Sequence, residues 1–211
     1  MGRIGRVELG SLTRPAEEWG GPHARVEPVL GYVVRHDDVR LMFDTGIGTG
    51  SPETDAHYGP VRHPLPVGPQ DVDLVVNCHL HFDHIGGNQR FPATPVLVQR
   101  RELAVARAGG YTIDALLDGV RYEELDGEYV IAPGLRVVPT PGHTEGHQSL
   151  VVDHGDRVTV LAGQACDFAH EFTAPYPPWA GRLAELADGR PVRVLFAHDH
   201  DLWEGTLPPP R

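Results

Sequence analysis

Short apolar runs rich in β-branched residues recur along the chain, each bounded by polar or glycine-containing stretches. They fall at Val29–Val34, Val39–Phe43, Val72–Asn77, Val96–Val98, Leu135–Val138, Ser149–Val152, Val158–Leu161 and Val192–Phe196. Runs of this length and composition predict strands. Arg100–Ala108, Ile113–Leu117 and Arg182–Ala187 carry helical character, and Asp188-Gly189 closes the last of them as a stop signal. Strands interleaved with helices predict α/β layering. The 25 glycines and 20 prolines are dispersed through the connections, and no internal repeat or low-complexity tract breaks the pattern, so one domain over residues 1–211 is expected. Gly46–Gln70 is rich in Gly, Pro and His without periodicity. It reads as a long loop and a candidate cover for a substrate site. The three prolines of the Leu207–Arg211 tail predict an extended end.

Composition narrows the partners. With 211 residues, 40% of them hydrophobic, the chain can bury one sizeable core. Its formal net charge of −11, from 29 acidic and 18 basic side chains, would repel a nucleic-acid backbone or an anionic membrane. A small-molecule substrate is therefore expected, with no nucleic-acid or membrane partner and the oligomeric state open. The stretch after Met1 has no apolar signal region, and no apolar run is long enough to span a bilayer, so a cytoplasmic protein is expected. Cys78 and Cys166 are too few for a disulfide framework.

Thirteen histidines change the picture, because several gather in two tight groups. The run Val72–Asn77 leads directly into Cys78-His79-Leu80-His81-Phe82-Asp83-His84, and Ile85-Gly86-Gly87 then permits a tight turn. In an extended segment His79, His81 and Asp83 share one face, while His84 swings round as a helical turn begins. One metal does not easily take all four groups. Imidazoles and a carboxylate suit zinc, iron or manganese, and dividing the cluster between two adjacent ions is geometrically natural. So many polar groups in one strand-to-turn segment would be costly to desolvate without a metal to satisfy them. The scattered His23, His36, His57, His63, His154 and His170 read as ordinary surface or core residues. Two further runs end in ligand-type residues: Leu135–Val138 leads through Pro139–Gly142 to His143, and Val192–Phe196 leads through Ala197 to His198. Ligands in layered α/β folds gather beyond the carboxyl ends of strands, so these histidines can converge.

His79-Leu80-His81-Phe82-Asp83-His84 resembles the signature of the metallo-β-lactamase superfamily, and Pro141-Gly142-His143-Thr144-Glu145-Gly146-His147-Gln148-Ser149 resembles its second metal-binding loop. Gly31–Val34 with Leu41–Gly46 is similar to the family's opening strands and Asp-containing turn, and Phe196-Ala197-His198-Asp199 to its final ligand segment. The resemblance runs from Val29 to Asp199 and implies an α/β fold, an αββα metallo-β-lactamase-like sandwich with a dinuclear centre at one edge. The wording of the second loop is most similar to the N-acyl-homoserine lactonase branch. That resemblance implies two divalent metal ions, zinc first, with iron and manganese open. His79, His81 and His143 would hold one and Asp83, His84 and His198 the other, with His200 as the alternative to His198.

One position departs from the family. Its bridging aspartate should follow Val158–Leu161, but Gln164 stands there. Asp167, the nearest carboxylate, is expected to complete the metal site, with Gln164 and Cys166 as alternatives. Asp167 also occupies the place of a substrate-contacting tyrosine of the lactonase branch. The implied function is hydrolysis of a lactone or ester, N-acyl-homoserine lactone first, by a metal-generated hydroxide. Asp83 would carry the proton, and His147 and Asp44 would orient ligating imidazoles. The alternatives are thioester hydrolysis of the glyoxalase II kind, β-lactam or phosphodiester hydrolysis, di-iron redox chemistry, and a non-catalytic metal-binding protein. Asp44-Thr45-Gly46 also resembles the active triplet of aspartic proteases, a reading that leaves the histidines unexplained.

Overall fold

Alternation along the strands decides the layers of this computed structural model, which describes residues 2–208. One sheet holds β1 (Arg3–Arg14), β2 (Arg25–His36), β3 (Val39–Phe43), β4 (Val61–Arg62), β5 (Leu74–Val76), β6 (Val96–Gln99) and β7 (Tyr122–Leu125), in the order β4-β1-β2-β3-β5-β6-β7. The other holds β8 (Tyr129–Ala132), β9 (Leu135–Pro139), β10 (Gln148–Asp153), β11 (Val158–Gly163), β12 (Val192–Phe196) and β13 (Leu202–Gly205), in the order β13-β12-β11-β10-β9-β8. β3, β5, β6 and β7 run parallel, as do β11 and β12. The helices are α1 (Ala16–Trp19), α2 (Pro52–Tyr58), α3 (Phe82–Ile85), α4 (Arg100–Arg107) and α5 (Ala180–Ala187).

Leu41 and Phe43 of β3, Val76 of β5 and Leu97 of β6 meet Leu135, Val137, Leu150, Val152 and Leu161 of the second sheet in one buried cluster between the sheets. The intervening residues face outward. Val98 packs on Leu103 and Ala106 of α4, and Val160, Ala162, Val194 and Phe196 pack on α5. The layers are therefore helix, sheet, sheet, helix. On α5 the buried residues Ala180, Leu183, Ala184 and Ala187 follow the helical spacing of one apolar stripe. Burying Leu183 alone contributes about 2 kcal/mol. Asp188, left-handed at φ 50°, ends that helix with its N–H on the Ala184 carbonyl.

The expected strands are all present, within two residues at each end except for β2, which extends to Arg25 and His36. Five strands come in addition: β1, β4, β7, β8 and β13. β1 escapes a hydrophobic reading because its first half is mostly solvated, with Arg3, Gly5 and Arg6 exposed. The helical character expected over Ile113–Leu117 takes the form of a 3-10 turn over Asp114–Leu117. The Gly46–Gln70 segment contains α2, capped by Ser51 through its hydroxyl, and β4, which pairs with β1. The extended tail expected at residues 209–211 lies outside the described residues, whereas Leu207 is buried against the α5 cluster. Among the described residues no helix is long and apolar enough to cross a membrane.

Candidate metal centre

Five strands release the chain at the same edge of the sandwich. Asp44 follows β3, Asn77–His84 follows β5, Thr140–His143 follows β9, Gln164 follows β11 and Ala197-His198 follows β12. Backbone hydrogen bonds stitch these exits together: Asp44 N–H to Val76 O at 3.0 Å, Gln148 N–H to Cys78 O at 2.8 Å, and Ala197 N–H to Gly163 O at 2.8 Å. His81 stands just before α3 with its own backbone still extended (φ −66°, ψ 155°), so His79 and His81 project from extended chain and Asp83 and His84 from the first helical turn. The loop after β3 packs on this turn through Gly86, where a Cβ would lie 2.2 Å from Gly48 N. At Gly163 (φ 56°) a Cβ would lie 2.4 Å from Cys78 Cβ, so a side chain there would push the ligand strand away.

Among the described residues this backbone gathers the ligand types into four overlapping groups, and the two that take no thiol form two sets. In the first, His81 Nδ1 lies 2.9 Å from His79 Nε2 and 3.1 Å from His143 Nε2. In the second, Asp83 Oδ2 lies 3.5 Å from His84 Nε2 and 3.6 Å from His198 Nε2. Within each set the ligand atoms all lie within 4.8 Å of one another. His84 Nε2 and His198 Nε2 are buried and have no hydrogen-bond partner. Leaving such a nitrogen unsatisfied costs about 1–3 kcal/mol, and a cation beside Asp83 would satisfy both at once. The donor types and their convergence fit divalent metal ions.

The protonation pattern differs between the two sets. Burial, reinforced by neighbouring imidazoles, holds His79 well below the ordinary histidine range and His143 down to about 3, so both are neutral, the form that coordinates. Burial also opposes the charge on His84, but Asp83 and Asp44 outweigh it and raise that residue to about 9. Asp83 is lowered: burial pushes it up, and His84 and His198 pull it down further.

Each set rests on a buried carboxylate. Asp44 Oδ2 lies 3.0 Å from His84 Nδ1 and accepts the Cys78 thiol at 3.0 Å, while Oδ1 accepts the Cys78 N–H at 2.8 Å. So engaged, and 1% exposed, Asp44 is not available as a protease carboxylate. His198 Nδ1 lies 2.9 Å from Pro28 O, which turns Nε2 inward. Behind the first set stands Glu102 of α4, a residue the sequence reading missed. It accepts the Leu80 N–H at 2.9 Å, the Thr144 hydroxyl at 2.8 Å and the Tyr111 hydroxyl, and the Tyr111 ring lies 4.6 Å from that of His81. The signal was a charged residue sharing the buried face of α4 with Leu103 and Ala106. His147 is buried beside His79, with Nδ1 2.8 Å from Thr140 Oγ1.

Asp167, the expected completing ligand, stands apart from both sets. Its Oδ2 takes Arg14 and, at 3.0 Å, Arg25, and its Oδ1 accepts Gln164 Nε2 at 3.0 Å. Two guanidinium groups supply the positive charge that a metal would otherwise offer. Cys166 packs against the α5 cluster, with burial pushing its thiol up to about 11, and belongs to neither set. His200 is half-exposed and faces Glu8 at 3.7 Å, leaving His198 as the histidine of the second set. His81, Asp83, His143 and His198 of the two sets, with Gln164 beside them, form the floor of a pocket of roughly 590 Å³. Ser51, Thr54 and Tyr58 of the 46–70 segment supply part of its wall.

The model of the metallo-beta-lactamase superfamily matches residues 24–209. The chain belongs to this superfamily. A Bacillus N-acyl homoserine lactonase is 38% identical over 150 residues, covering 65% of this chain and 60% of that protein. This superfamily member thus spans about three fifths of the length of the curated relatives it matches. A solved N-acyl homoserine lactone hydrolase, with the product N-hexanoyl-L-homoserine bound at its catalytic metal center, has a TM-score of 0.74 at 22% identity and covers 93% of both chains. A dizinc quorum-quenching lactonase has a TM-score of 0.68 at 11% identity, covering 97% of this chain and 94% of its own. At such identities the structural likeness carries the αββα fold, which agrees with the layers described above.

Proposed function

We propose that the protein is a metal-dependent hydrolase that opens N-acyl-homoserine lactones, holding two divalent ions, zinc first, on His79, His81 and His143 and on Asp83, His84 and His198. The observation that carries this reading is the pair of converging ligand sets on the floor of one pocket, two of whose buried nitrogens lack any other partner. The substrate class is taken from the relatives' activity. Ions so held lower the pKa of water to about 7 and polarise a carbonyl oxygen.

The chain's own residues do the rest. Asp83 lines the pocket and is ionised at neutral pH, so it can take a proton and return it to the leaving alkoxide. Asp44 and the Pro28 carbonyl hold the outer nitrogens of His84 and His198, which fixes the direction of their inner ones. Leu12, Phe82 and Ile113 give the pocket an apolar wall suited to an acyl chain. Cys78 and Cys166 are both free thiols, as a reducing cytoplasm would keep them.

The test is acid release from an acyl-homoserine lactone beside a simple aliphatic lactone and an acyl thioester, with a chelator-stripped control. Chelator-sensitive opening of the homoserine lactone, at least about tenfold faster in kcat/KM than the others, is expected. Preference for the thioester would replace the substrate and keep the metal chemistry. Absence of turnover on all three would favour a metal-binding protein without hydrolase activity.

A further inference from the structure

Both ligand sets face the pocket beside a neutral residue. Gln164 leaves β11 at the metal edge, is 6% exposed, and shares the pocket floor with His81 and His143 of one set and Asp83 and His198 of the other. Asp167 does not line that pocket. Its hydrogen bond to Gln164 Nε2 instead settles which way the amide points: the nitrogen donates to Asp167, so Oε1 is the end turned away from it. The anchor is firm, because Arg25 bonds Asp167 while its guanidinium lies 4.4 Å from the Trp19 ring centre and 4.2 Å from that of Phe168.

The other carboxylates of the pocket are committed elsewhere. Glu27 Oε1 takes Arg25 and lies 3.6 Å from Arg14, and its Oε2 approaches His198 from the outer, Nδ1 side at 3.9 Å. Glu18 bonds His57 and Tyr58, and Asp114 is exposed at the rim. Among the described residues, Asp83 is thus the one carboxylate that belongs to either of the two sets, and the all-histidine set carries no negative charge. An amide oxygen is a neutral donor and screens two adjacent dications less than a carboxylate would.

We propose that the Gln164 amide, oriented by Asp167, stands between the two ligand sets where a shared carboxylate would otherwise be, so that the protein takes up its two cations unequally, the Asp83 set first. Asp167 is then a positioning residue, not a ligand. The inference rests on the reading of two cation sets.

The test titrates the chelator-stripped full-length protein with Co2+, following the visible absorption of the bound ion and the metal content per chain. The wild type should show two steps separated by about tenfold or more in Kd, roughly 1.4 kcal/mol. Gln164→Asp, one methylene shorter and carrying the negative charge, should tighten the weaker step by about tenfold and draw the two together. Asp167→Asn should keep two cations per chain, with a circular-dichroism melt confirming that it folds. Loss of one cation in a folded Asp167→Asn protein would overturn the inference, as would two equal steps in the wild type or unchanged affinities in Gln164→Asp. Each of those outcomes leaves the two-set reading standing. A wild-type protein that takes up no cobalt would overturn both. Should Asp167→Asn fail to fold, Gln164→Asp decides alone.

Discussion

The two ligand sets are built to different plans. Each set brings two residues to the pocket, but His79, His81 and His143 offer three neutral imidazoles, whereas Asp83, His84 and His198 are all buried and include a carboxylate. Their supports differ in the same way. Asp44 touches an imidazole of the second set directly, through His84 Nδ1, and so bears on both its direction and its basicity. Glu102 touches no imidazole of the first set. It holds the Leu80 backbone and the Thr144 hydroxyl, and through them the two segments that carry His79, His81 and His143. A direct contact tunes a ligand, and a backbone contact only places it.

The largest effect should come from removing the one carboxylate of the pair. Asp83→Ala is expected to lower kcat/KM by about 10⁴-fold, near 5.5 kcal/mol, while the circular-dichroism spectrum stays that of the wild type. Activity close to wild type would remove Asp83 from the chemistry and erase the contrast between the sets. Next come the two supports. Asp44→Asn should weaken cation binding at the second set by about 10- to 100-fold. Glu102→Gln should weaken the first set less, by under about tenfold, because the amide oxygen can still accept the Leu80 N–H and the Thr144 hydroxyl can turn to accept from the amide nitrogen. Cobalt titration of both variants reads this directly. A larger loss in Glu102→Gln than in Asp44→Asn would break the distinction between tuning and placing.

How much of this the sequence reveals depends on how far apart the cooperating residues lie. β3 and β12 appear with their observed bounds because each is a five-residue run of apolar residues broken by a single arginine and has sharp ends. His79 to His84 are legible because six consecutive residues carry the cluster, and His143 and His198 because each follows a strand end. The Asp167 environment is not, since Arg14 and Arg25 come from the far end of the β1–β2 hairpin, more than 140 positions away. Proximity in sequence made Asp167 the natural carboxylate to offer a metal, while the guanidinium groups that bond it lie too far along the chain to be read. Glu102 is hidden for another reason: a glutamate in a short helix ordinarily faces solvent, and only its phase relative to Leu103 and Ala106 marks it as buried.

The smallest effect sharpens the contrast from outside the site. Glu128 is a carboxylate held by two cations, Arg182 and Arg136, but at 32% side-chain exposure it stands where Glu102, at 1%, does not. Its hydrogen bond from Arg182 lowers its pKa below the ordinary glutamate range. The folded value therefore lies under the unfolded one of about 4.3, so the pair stabilises the protein above that pH and its contribution fades as pH falls through the folded value. Exposure and salt screening keep the contribution below about 1 kcal/mol. Glu128→Gln should lower Tm by no more than about 3 °C at pH 7, with the gap from wild type shrinking as the pH is taken below 4. A gap that persists undiminished in acid would mean that Glu128 acts by packing and not by charge. The buried and exposed carboxylates would then differ in degree of contact alone, not in the kind of interaction that holds them.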